Sequence, residues 1–278
     1  MIAPRAVLPI AIGVAAGIAW LNFSFSAAGN PLVKVDFFLP EPFYQGEAAA
    51  PTLSENQPIV AALVPHHLIA GTELATIFKL LRAKGYRRAF IIGPNHYNAG
   101  PANILTATVD GETPFGVQPG RRWIKYPELE TRLIANEHSV MGMLPYVKHY
   151  LSAETQPFIL KAKTSRAELE SLAARLAEAA DDKTIFIFSV DFSHYLPKAV
   201  AQKNDELTAR ALLALDEELV APLNNDYTDS PASLILMFKI CKQQGAWFKI
   251  IDHANSADLI GQPRLAQTTS YFTGYCAR

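Results

Sequence analysis

The sequence predicts an α/β fold, on three observations. From Ile59 onward, short apolar β-rich runs alternate with helical patterns, which argues for parallel strands joined by crossover helices. The run at 88–92 has an "AFII" core that is apolar on both faces, as a central parallel strand requires. Half of the 278 residues are hydrophobic, enough for a sizeable core in one large domain.

Taken in order, the first strand is Ile59–Val64 (IVAALV). Residues 72–84 then place Leu74, Ile77, Phe78 and Leu81 on one helical face, with Gly85 as the stop. After the second strand at 88–92, residues 93–125 form an irregular stretch too long for an ordinary connection, and such loops tend to carry function. Ser165 and Glu168 have the form of a capping box, and Leu169, Leu172, Ala173 and Leu176 continue it as an amphipathic helix. Strand Thr184–Ser189 follows, then a helix at 207–219. Another opens at Asp229-Ser230-Pro231, where Asp229 is an N-cap candidate and proline sits in the first turn, and it ends at Gly245. Strands at 248–252 and 268–275 complete the sheet.

The N-terminus differs in kind. Residues 6–21 (AVLPIAIGVAAGIAWL) carry no charge, and only Arg5 and the terminal amine precede them. Residues 1–28 are therefore expected to be an apolar helical membrane anchor, with Trp20, Phe23 and Phe25 suited to the interface. The alternative is a secretory signal cleaved near Ser26-Ala27-Ala28. Either outcome puts the body on the outer face of the membrane or releases it there. Residues 29–57, with prolines at 31, 40, 42 and 51, read as a linker to a domain spanning 58–278. A net charge of −1 without basic runs excludes nucleic acid as a partner. Cys241 and Cys276 are too few and too far apart for a cysteine-rich zinc module, and no disulfide framework is expected from them.

Three apolar strands end alike. Val64 is followed by Pro65-His66-His67, Ile92 by Gly93-Pro94-Asn95-His96, and Val190 by Asp191-Phe192-Ser193-His194. In an open parallel sheet these exits share one edge, where ligands bind. Four of the seven histidines would gather there. Imidazole is both a common metal ligand and the side chain that titrates near neutral pH. Two neutral histidines with a carboxylate or thiolate would hold a divalent metal, a role that suits His66 and His96. A histidine free of the metal would serve as acid and base, which suits His194, with Asp191 either orienting a ring or fixing the turn. His138 is either a further pocket residue or the start of a helix. His149 and His253 read as structural or exposed, and His67 as the spare of its pair. Tyr97, Phe115 and Tyr195 either line the pocket or pack.

In order along the chain, "VPHHLIAG" (64–71), "IIGPNHYNAG" (91–100), "TPFG" (113–116), "EHSVMGMLPY" (137–146), "SVDFSHY" (189–195) and "ANSADLIGQP" to "TSYFTGYC" (254–276) resemble the Memo-like family. In bacteria and archaea that family includes AmmeMemoRadiSam system protein B. The resemblance covers roughly residues 58–278. It implies a three-layer α/β/α sandwich around a largely parallel or mixed sheet, similar in fold to class III extradiol dioxygenases. It further implies that His66 and His96 are metal ligands, for iron or another divalent ion with zinc the alternative. His138 and His194 would line the same pocket, His194 matching the position that moves protons in the dioxygenases.

Two departures stand out. The family usually offers a cysteine, and the dioxygenases a glutamate, before the helix that starts near Pro231. This chain reads Asn225-Asp226-Tyr227-Thr228-Asp229-Ser230, so Asp229 or Asp226 takes the third ligand position or Asp229 is only the helix cap. Met141 stands where a glutamate is frequent, which removes a carboxylate partner from the pocket. The expected function is a metal-dependent oxidoreductase. The alternatives are a non-enzymatic module binding a metal, peptide or small ligand alongside AmmeMemoRadiSam partners, and, more weakly, a zinc hydrolase.

Overall fold

In a computed structural model of the chain, the structure describes residues 24–27, 29–126 and 129–278. Its centre is an eight-stranded sheet. The strands are β1 (Ile59–Val64), β2 (Arg88–Pro94), β3 (Ile104–Thr106), β4 (Glu154–Leu160), β5 (Thr184–Ser189), β6 (Phe192–Leu196), β7 (Trp247–Asn255) and β8 (Thr268–Ala277). The order is β6-β8-β1-β5-β2-β4-β3, with β7 on the other edge of β8. The four inner strands β1, β5, β2 and β4 run parallel, while β3, β6, β7 and β8 make antiparallel pairs. The sheet is therefore mixed.

Side-chain alternation divides the core in two. In β5, Ile185 and Ile187 enter one apolar cluster and Phe186 and Phe188 the other, and in β2 Ala89 and Ile91 are likewise separated from Phe90 and Ile92. On the first face lies α2 (Gly71–Arg82), through Leu74, Ile77, Phe78 and Leu81. The second face holds α3 (Arg166–Ala179), with its complete Ser165–Glu168 capping box, and α5 (Pro231–Gln243). A further helix, α4 (Lys198–Ala214), packs on β6, β7 and β8. Each fully buried Phe or Leu in these layers contributes roughly 1.5–3 kcal/mol.

Several expectations need correction. The presumed linker is structured: α1 (Pro40–Ala49) packs on α2 and buries Phe43 completely. A cramped crossing makes this packing close, since a side chain on Gly46 would collide with the backbone of Gly71. Residues 93–125 hold β3 and two further strands, Asp110–Thr113 and Gly116–Gln118, which join Ser24–Phe25 and Pro31–Lys34 in a second, four-stranded sheet. The helix expected at 207–219 instead begins at Lys198 and ends at Ala214, where Leu215 turns left-handed. Cys241 and Cys276 are joined by a disulfide that ties α5 to β8. Sequence spacing misled here because the bridge is set by how α5 lies across the sheet. Closing a loop of 35 residues, it adds about 4 kcal/mol on the chain-entropy account.

The apolar segment at 6–21 lies outside the described residues. Among the described residues, no helix is long and apolar enough to cross a membrane.

Candidate metal centre

The carboxyl ends of β1, β2 and β5 meet at one edge. They deliver His66 two residues beyond Val64, His96 two beyond Pro94, and Asp191 two beyond Ser189. A short helix, His138–Met141, is pressed onto the end of β2, where Ser139 Oγ donates to the Pro94 carbonyl at 2.9 Å. Gly93 permits this approach, because a Cβ there would stand 2.7 Å from Ser139 Oγ. That contact sets His138 against His96, with ring centroids 4.2 Å apart and nearly stacked. His66 stands edge-on to both, at 5.0 Å from each. Ligand nitrogens of the three rings all fall within 4.8 Å of one another, so this group can hold a divalent metal.

Three buried carboxylates surround the rings. Asp229 Oδ2 stands 3.0 Å from His66 Nε2 and 3.6 Å from His96 Nε2. Asp191 Oδ1 accepts from the His66 backbone N–H at 3.0 Å, and its Oδ2 lies 3.6 Å from His66 Nε2. Glu137 Oε1 is 2.7 Å from His96 Nδ1 and 3.3 Å from His138 Nδ1, and Oε2 accepts from the His96 N–H at 2.9 Å. Glu137 thus fixes His96 with Nε2 facing the pocket, the arrangement in which a carboxylate orients a ligating imidazole.

These charges set the protonation of the metal-free site. Burial disfavours a charge on His66, yet the Asp191 and Asp229 carboxylates outweigh it and hold the ring above its ordinary range. Burial likewise opposes charge on His96, but Asp229 and Glu137 push it up to about 10. His138 goes the other way: burial, then the neighbouring His66 and His96, lower it to about 4, so it is neutral at pH 7. Asp229 is buried, yet His66 and His96 hold its carboxyl well below the usual range. The proton held on His96 thus occupies a position that a cation between the same atoms would replace.

The expected residues therefore fall into one cavity of about 310 Å³, lined by His66, His96, His138, His194, Asp191 and Asp229 among others. His194 does not leave a parallel strand as expected. It lies within β6, which pairs antiparallel with β8, and its buried Nδ1 has no hydrogen-bond partner among the described residues. Asp191 serves His66 rather than His194. Asp229 is not the helix cap: Ser230 caps α5 by accepting from the Ser233 N–H at 3.2 Å, which leaves the Asp229 carboxylate facing the histidines. Of the three aromatic candidates, Tyr195 lines the cavity. Phe115 packs against Phe38, Phe43 and His149 elsewhere, and Tyr97 is exposed. His149 and His253 pair with Glu47 and Asp205, and His67 meets the Tyr271 hydroxyl at 2.5 Å. Glu137 was missed by sequence reasoning, although a glutamate directly before a histidine at a helix start is a signal that finds it. It supplies the carboxylate that Met141 cannot, and Met141 itself is buried in the core.

The sequence model of the family described as "Memo-like protein" matches residues 43–274. The chain belongs to the Memo-like family. Among its relatives, a MEMO1 family protein of Methanococcus vannielii is 28% identical over 225 residues, 72% of this chain and 78% of that protein. One from Caldivirga maquilingensis is 27% identical over 250 residues, covering 81% and 86%. One from Aquifex aeolicus is 26% identical over 218 residues, covering 72% and 80%. The Memo-like match begins at Phe43, inside α1, so the helix first read as linker belongs to the matched region.

Proposed function

We propose that His66, His96 and Asp229 hold a single divalent ion, with iron as the first assignment and zinc as the alternative, while His138 and His194 handle protons in the same pocket. One observation carries this reading. Metal–ligand bonds of about 2.1 Å place neighbouring ligand atoms roughly 3.0–3.4 Å apart, and Asp229 Oδ2 stands at 3.0 Å from the His66 nitrogen, within that range, and at 3.6 Å from the His96 nitrogen, just beyond it. Asp229 Oδ1 is buried without a hydrogen-bond partner among the described residues, as expected of a carboxylate whose partner is an ion. The donor set, two imidazoles and a carboxylate on one side of a cavity, is the set used by non-haem iron oxygenases. The three-histidine set His66, His96 and His138 is the second ligand reading, favoured by the mutual approach of those rings.

A bound divalent ion would supply Lewis acidity and, for iron, one-electron chemistry. The chain's own residues do the rest. His138, neutral at pH 7, is free to accept a proton, and His194 lines the same cavity. Together with the resemblance to extradiol dioxygenases, this supports a metal-dependent oxidoreductase. A non-enzymatic module holding a metal, peptide or small ligand, with AmmeMemoRadiSam partners, is the alternative, and a zinc hydrolase is weaker. We further propose that residues 6–21 anchor the chain with its domain on the outer face, or are cleaved to release it. The Cys241–Cys276 disulfide supports an oxidising compartment. Protease accessibility of the domain in intact cells tests this.

Metal analysis of anaerobically purified protein separates the functional readings. Iron with oxygen uptake on adding a catechol is expected. Zinc with esterase or amidase turnover would favour the hydrolase, and metal without turnover the binding module. Unchanged metal content in both His66→Ala and His96→Ala would overturn the ligand assignment.

A further inference from the structure

The histidine pocket continues into a second cavity of about 600 Å³. His96, Tyr195, Asn225 and Asp229 line both, so a ligand reaching the histidines has room to extend into the second space. The walls of this cleft are amide-rich. Asn98 and Asn224 use their side-chain oxygens to accept from the Ala162 and Asp226 N–H groups, which leaves their NH2 groups as donors. Asn225 is exposed, and its side chain has no hydrogen-bond partner among the described residues. Among the described residues, no Lys or Arg lines either cavity.

The electrostatics select against anions. Asp191, Asp229 and Glu137 are buried around His66 and His96 at the inner end, and a divalent cation among them leaves a net negative charge with neutral imidazoles. A negatively charged group in the cleft would meet that charge with no cation to offset it.

Tyr195, one of the four residues common to both cavities, has φ +57, a backbone conformation that costs an L residue and suits glycine. It sits at a register shift in the β6–β8 pairing, where a glycine would bulge freely. The residue is 67% exposed, so core packing does not account for a tyrosine there. A strained backbone that carries an exposed tyrosine at the mouth of a pocket is the kind of position found at ligand-binding sites.

We infer that the ligand of this site has an uncharged, hydrogen-bonding body lying in the asparagine-lined cleft, read by Asn225 and Tyr195, beyond the end that reaches the histidines. The inference rests on the metal-centre reading of the histidine pocket. Two probes of nearly identical shape test it: 3,4-dihydroxybenzamide and 3,4-dihydroxybenzoate, titrated calorimetrically into the full chain under anaerobic conditions. The amide is expected to bind roughly tenfold tighter than the acid. Asn225→Lys is expected to erase or invert that preference with melting temperature and metal content unchanged, since the side chain is exposed. Equal affinity, tighter binding of the acid, or no binding of either probe would overturn the inference. Metal content measured on the same samples decides the metal-centre reading separately. If no metal is present, the same comparison on the metal-free protein decides the cleft, because the asparagines that line it are not among the proposed metal ligands.

Discussion

Two clusters of carboxylate and histidine lie on opposite sides of β6, and only one is built as a site. In the first, Asp205 is buried and fully satisfied: Oδ1 accepts from Ser193 Oγ at 2.7 Å and Ser270 Oγ at 2.8 Å, and Oδ2 meets His253 Nε2 at 2.8 Å. It joins β6, β7 and β8 to α4. In the second, Asp229 lies among three histidines, with one oxygen unpartnered and a cavity in front of it. Ser193 belongs to the first cluster and His194 to the second, because successive residues of a strand face opposite ways. A buried carboxylate beside a histidine therefore marks a site only when polar atoms are left without protein partners and there is space before them.

The strongest break between the clusters concerns metal. His66→Ala and His96→Ala should each lower metal affinity by more than roughly a hundredfold, whereas His253→Ala should leave it unchanged, as read by metal content after dialysis. Asp205→Ala should cost about 3 kcal/mol of unfolding free energy in denaturant titration, because it strands two hydroxyls and an imidazole, while metal content per folded molecule stays the same. Glu137→Gln should weaken metal binding by roughly 10–100-fold, since it loosens the orientation of His96 without removing a ligand. Wild-type content in that variant would deny Glu137 its role.

Protons sharpen the contrast further. In the metal-free protein His96 is raised to about 10 from an ordinary 6.5, so its contribution to stability is full below 6.5 and is lost as pH rises towards 10. His138 is lowered to about 4, so it costs stability as pH falls from 6.5 to 4. Metal-free protein should therefore lose melting temperature on both sides of pH 6.5, and metal should flatten the alkaline side. The smallest effect is Tyr195→Gly, which should raise stability by about 1 kcal/mol by removing the left-handed strain, measured by thermal melting. A loss of stability there would show that the ring packs after all.

Much of the centre was legible because it is written locally. A strand end followed by a histidine places that histidine within a few residues, so His66 and His96 were found from periodicity alone. Glu137 was not, since it is recruited across the sheet by a helix docked on Gly93, and for Asp229 the sequence left ligand and helix cap open, a choice that the start of α5 makes by turning the carboxylate toward the histidines. Prolines at 40 and 42 suggested a linker, yet proline in the first turn of a helix is well tolerated, and Phe43 turns that helix inward.

The sequence by itself determined the inner strands β1, β2 and β5, the helices α2, α3 and α5, and which strand ends carry imidazoles, because backbone periodicity and turn chemistry act over a few residues. Tertiary structure alone decided the antiparallel placement of β6, the Cys241–Cys276 bridge, and which carboxylates face the histidines. Those depend on distances between residues far apart in the chain, which only the packing of the layers sets.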